Sequence, residues 1–143
     1  MIILYQLEYT DEMVDYLNGP EGGWSNAIKK YELIEADQEL RLGADRWEPR
    51  FWKHFRAVAE IITDDLDTAW GIGNGSHAGM IEAGRMNPLL PMRKGRRNGK
   101  MYYDMHSMSV GNICQRGKEY FLCDIFGWKK VEIDSKVGEE EHE

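Results

Sequence analysis

The side chains in this chain that are equipped for chemistry are few and scattered. His106 stands beside Ser107 and Ser109, the composition of a nucleophile with its base. Neither serine lies in the Gly-x-Ser-x-Gly turn that strains and exposes a catalytic hydroxyl. His54, His77 and His106 occur singly, without the His-x-x-x-His or Cys-x-x-Cys spacing of a zinc site. Asp64, Asp65 and Asp67 would suit a hard cation, since carboxylates at i and i+3 share a helix face. They also fit the start of a helix, where acid satisfies free N–H groups and the positive dipole end, and that role needs no metal. Gly71-Ile72-Gly73-Asn74-Gly75 resembles a phosphate-cradling loop in composition only. It follows a helical pattern rather than a strand and lacks the Gly-Lys-Ser/Thr ending, so it reads as a helix stop. The residues assign no catalytic group, no metal and no cofactor, and the chain is expected not to be an enzyme.

One charged feature stands apart. Arg93, Lys94, Arg96, Arg97 and Lys100 place five positive charges in eight residues of a chain whose net charge is −7. Segregated charge of this kind steers anionic partners, and Tyr102 and Tyr103 directly follow it. These seven residues are the candidate partner-binding set. The partner would be an acidic protein surface, nucleic acid through phosphate contact and stacking, or the chain's own acidic end. As a solvated loop the run needs no partner.

Composition narrows the classes. The chain has 143 residues, the usual size of one domain, and 42% are hydrophobic, including five Trp, seven Tyr and four Phe, so an aromatic-weighted core is available. The acidic balance argues against a general nucleic-acid binder. Met1 to Tyr9 is apolar but has no basic residue before it and acid soon after, and no run approaches a membrane span, so a cytoplasmic protein is expected. Cys114 and Cys123 are expected to be buried, reduced thiols.

The elements that must position these groups follow from periodicity. Ile2 to Tyr9 begins continuous and ends alternating, as in an interior strand. Thr10 or Asp11 caps a short helix through Leu17. After the Asn18 to Gly23 loop, Ser25 caps a helix from Asn26 to about Leu42, stopped by Gly43. Pro49 opens a short helix in which Phe51 and Phe55 stack beside Trp47 and Trp52. Arg56 to Thr63 reads as a strand running into an Asp-capped helix with Leu66, Ala69 and Trp70 toward the sheet. Residues 74 to 102 read as irregular, holding the basic loop, and long irregular segments are usually functional or disordered. Ser109 to Cys114, a turn at Arg116-Gly117 and Glu119 to Phe126 form a hairpin, pairing Cys114 with Glu119 and Val110 with Cys123. Trp128 to Ile133 adds a third strand. The expected fold is α+β: a small, mainly antiparallel sheet with helices on one face and a C-terminal meander. One domain spans residues 1–137, and 138–143 is an acidic tail.

The run Ala57 to Asn74, then Met105-His106-Ser107-Met108-Ser109-Val110-Gly111-Asn112, then Tyr120 and Phe126-Gly127-Trp128, resembles the YodL-like small domains carried by phages and plasmids. The likeness covers about residues 56 to 133. In that family the His-Ser-x-Ser-Val-Gly motif is a strand ending in Asp, where this chain has Asn112. The resemblance implies a mobile-element origin and a family without an assigned enzymatic activity. The function expected is therefore a non-enzymatic binding protein, an inhibitor or adaptor acting on a host or defence protein. The alternatives are a nucleic-acid accessory factor using the basic loop, or a phage enzyme or binder for a small nucleotide with Gly71 to Gly75 in its pocket.

Overall fold

The sheet is built around β1, Ile2–Gln6, which lies between β2, Arg56–Ile61, and β6, Ile113–Arg116, in a computed structural model that describes residues 1–133. β3, Met86–Pro88, extends the sheet beyond β2, while β7, Glu119–Cys123, and β8, Trp128–Val131, extend it beyond β6. The order is β3-β2-β1-β6-β7-β8 and every pairing is antiparallel. The α+β expectation and the C-terminal meander hold.

The helices divide between two faces, where one was expected. Opposed residues across a ladder point the same way, so Ile2 and Leu4 share a face with Ala59, Ile61 and Cys114. Ala69 and Ile72 of α4, Leu66–Gly73, cover that face with α5, His77–Glu82, and with Met105 and Met108. On the other face Tyr5, Ile113 and Leu122 meet Ala36 and Leu40 of α3, Glu32–Leu40, and the aromatic cluster of Phe51, Trp52 and Phe55. The unbroken apolar start of β1 is the sequence signature of this double cover.

Several elements differ in detail. Thr10 caps α1, Asp11–Asn18, by accepting from the Met13 N–H. The long second helix is two helices, α2, Trp24–Lys30, and α3, because Tyr31 between them is extended at φ −122°, ψ 113°. The Pro49–His54 turn is 3-10 rather than α-helical; Phe51 is buried against Trp47 while Phe55 stacks on Trp52 at 6.2 Å. Asp65 caps α4 as expected, but the buried stripe is Ala69, Ile72 and Gly73, leaving Trp70 exposed.

Residues 74 to 102 are more ordered than their composition implies. They hold α5, the edge strand β3, and a separate two-stranded arm, β4, Arg93–Lys94, paired with β5, Met101–Tyr102. In the C-terminal hairpin the loop is Gly117-Lys118, one residue later than expected, because Gly117 at φ +62° takes the first position of the tight turn. Cys114 therefore opposes Phe121, and the backbone of Cys123 bonds to Gly111 and Asn112 instead of pairing with Val110. The expected strand start at Ser109 is a turn, and β6 begins at Ile113. The acidic tail lies outside the described residues.

Candidate functional site

A cleft of about 390 Å³ opens where β1 leaves the sheet, between Glu8 and Tyr9, Trp24, the Asp37 side of α3, and the segment from His106 to Asn112. One buried residue organises it. Gln6 is 1% exposed, and its amide accepts from the His106 N–H at 2.9 Å while donating to the His106 carbonyl at 2.9 Å and to Asn112 Oδ1 at 3.0 Å. Asn112 Oδ1 also accepts the Ser109 N–H at 3.0 Å, closing the turn. Gly111 sits at φ +93°, where an added Cβ would lie 3.3 Å from Leu40, so this wall packs directly on α3. The family-like motif is thus a clamped cleft wall rather than a strand.

Opposite it, Tyr9 donates to Asp37 Oδ2 at 2.6 Å, and Arg41 Nε reaches the same oxygen at 3.3 Å. Burial and the Asp37 carboxylate push the Tyr9 hydroxyl well above its usual range. Trp24, 50% exposed, meets the Tyr9 ring edge-on at 6.5 Å. At the other rim Glu8 hydrogen-bonds His106 Nε2 and raises that imidazole above its ordinary pKa. Behind Glu8, Arg56 grips Asp104 bidentately at 2.7 and 2.9 Å, holding that carboxyl below its usual range. Arg93 approaches Asp104 at 3.5 Å and Glu8 at 3.6 Å. His106 is therefore committed to a carboxylate, and neither serine hydroxyl bonds it among the described residues.

The seven sequence-designated residues share the arm but not one environment. Arg93 donates to the Tyr102 hydroxyl at 3.0 Å and lies over its ring, besides facing Glu8 and Asp104. Arg96 reaches Asp15 at 3.2 Å and Asp11 at 3.5 Å, tying the arm to α1. Lys94, Arg97 and Lys100 are exposed and make no ion pair among the described residues. Tyr102 is exposed, whereas Tyr103 turns in against the core beside Met105. Of the arm's five cations, Arg93 and Arg96 are thus opposed by the protein's own acids.

The strand expected from Glu119 to Phe126 ends at Cys123, and residues 124–127 form the β7–β8 turn, which was not among the candidate binding residues. Asp124 Oδ1 accepts from the Ala44 N–H at 3.1 Å and the Ile125 N–H at 2.8 Å, and the Asp124 N–H bonds the Gly127 carbonyl at 2.9 Å. This fixed turn carries Ile125, 54% exposed, and Phe126, 92% exposed. Beneath it runs a groove of about 350 Å³ walled by Trp70 and Trp128, whose indole donates to Asp67 at 3.2 Å. The available sequence signal was Ile125-Phe126 immediately before Gly127: a large apolar pair at a turn, where polar residues are usual.

Gly71 to Gly75 closes α4 and lines neither of these two cavities. Asp65 is spent on its cap and Asp67 on Trp128. Among the described residues no three His, Cys, Asp or Glu side chains converge as metal ligands, and no helix is long and apolar enough to cross a membrane. Comparison with protein-family models, with curated proteins and with solved structures finds no match.

Proposed function

We propose that this chain is a non-enzymatic, cytoplasmic binding protein of phage or mobile-element origin that docks on a host or defence protein through the β7–β8 tip. The observation that carries the reading is Phe126, 92% exposed on a turn whose backbone is already pinned by Asp124. Burying such a ring in a partner's apolar pocket is worth about 2 to 3 kcal/mol. A preorganised turn spends little of that on ordering. Ile125 and Leu42 are exposed as well, and Trp70 adds a partly exposed aromatic wall. The resemblance to the YodL-like domains supports the mobile-element origin.

The basic arm supports a second reading, nucleic-acid contact, because Lys94, Arg97 and Lys100 are exposed and make no ion pair among the described residues, and Tyr102 is exposed on the same arm. Affinity capture from host lysate at low and high salt, with a nuclease-treated arm, separates the two. A protein retained at high salt by the wild type and lost with Phe126→Asp supports docking through the tip. Retention lost on nuclease or salt, and on replacing Lys94, Arg97 and Lys100 by Gln, replaces it with the arm.

A further inference from the structure

The cleft beside β1 has unused chemistry that a docking tip does not explain. Its carboxylates are already opposed: Glu8 by His106, Arg56 and Arg93, and Asp37 by Arg41 and the Tyr9 hydroxyl. Its donors are not. Arg41 uses only Nε, so both terminal nitrogens of its guanidinium lack a protein partner among the described residues. The same holds for the Asn112 amide nitrogen, whose oxygen alone is engaged, for the Ser109 hydroxyl, and for Nδ1 of His106. Arg41, His106 and Ser109 are exposed and Asn112 is half-buried, and all four line the cleft. A cleft with surplus donors selects a ligand rich in acceptors.

The remaining wall is aromatic. Trp24 is half exposed and steadied by the edge of Tyr9, which leaves indole surface for a planar ring. The volume of about 390 Å³ falls within the range of small-molecule sites, and the Gln6 clamp and the Gly111–Leu40 contact set its shape before any ligand arrives. We propose that this cleft binds a mononucleotide, its base stacked on Trp24 and its phosphate held by Arg41. Arg41 offers a planar pair of donors suited to phosphate oxygens. Ser109 and Asn112 lie on the clamped wall, placed for the polar groups of the sugar or the base edge. A ligand here would pack against the clamped 106–112 segment, whose Val110 also lines the groove beneath the tip.

The test is titration of the full chain with the four common ribonucleoside monophosphates, with inorganic phosphate and adenosine alongside, read by tryptophan fluorescence and by melting temperature. At least one mononucleotide should quench saturably and raise the melting temperature, as binding to the native state requires. Trp24→Ala and Arg41→Gln should each weaken it about tenfold, the scale of one stacked base or one charged contact. Phe126→Asp should bind as the wild type does. Far-UV circular dichroism confirms that both cleft variants are folded, as the exposure of the two side chains leads one to expect. No saturable response to any mononucleotide, phosphate binding as tightly as every nucleotide, or affinity unchanged in both folded cleft variants would overturn the proposal.

Discussion

Gln6 is a buried polar side chain in the core, and it ties β1 to the 106–112 segment. Replacing it by Ala frees the His106 N–H and carbonyl and one Asn112 contact inside the protein, and losing such buried partners costs about 1 to 3 kcal/mol. Urea unfolding of Gln6→Ala should show that loss, and hydrogen exchange at His106 and Ser109 should rise. Burial sets the two thiols apart from reactive cysteines, pushing Cys114 up to about 12 and Cys123 up to about 11. Both should resist alkylation at pH 8 in the native protein and react at once in denaturant; fast native labelling would contradict the buried placement. The sequence reading of these cysteines as buried and reduced agrees with the structure. Gln6 was not legible, because a polar residue at the end of an apolar strand reads as the strand's solvent-side exit. Only the distant segment 106 to 112 makes it a core residue.

At the scale of elements, local signals were read well and long-range ones poorly. The Thr10 cap, an Asp cap on α4 and the C-terminal hairpin came directly from residue type, whereas α2 starts at Trp24 after Gly23 rather than behind a Ser25 cap, and α3 ends at Leu40 with Arg41 as its cap, before Gly43. Glycine at the first loop position placed the turn one residue beyond its expected centre. The edge strand β3 and the β4–β5 arm were missed because Met86–Pro88 and Arg93–Lys94 are too short to show a period of two; their pairing partners define them. The cleft wall is the element most open to test. Gly111→Ala adds a Cβ 3.3 Å from Leu40 at a φ of +93°, so it should destabilise by about 1 to 2 kcal/mol. Gly117→Ala meets no atom within 4 Å and should cost only its backbone strain, about 1 kcal/mol. Thermal unfolding of the pair separates crowding from strain.

For the whole molecule, charge ties the layers together and gives stability a pH dependence with two signs. Glu32 on α3 faces His54, Lys53 and Arg50 of the 3-10 turn, and these hold its carboxyl down to about 2, the His54 contact foremost. A depressed acid contributes fully above its unfolded value of 4.5 and loses that contribution as pH falls through about 2. Stability should therefore decline between those limits, and Glu32→Gln should flatten the decline. The raised imidazole of His106 works in the opposite sense, contributing below its ordinary 6.5 and fading as pH climbs through its higher native value. His106→Gln should remove that fall, measured as the midpoint of urea unfolding from pH 6 to 9. The position of β1 also constrains how the chain can assemble. β1 is synthesised well before one of its two neighbours, β6, which comes from Ile113–Arg116. Until that segment exists, β3-β2-β1 is a half-sheet with a bare, apolar edge, the kind that pairs with other chains. Closing it needs contacts of long sequence separation, which places refolding in the slow range of milliseconds to seconds. A nascent chain that has not yet reached Ile113 is the form of this protein most exposed to aggregation and most in need of a chaperone.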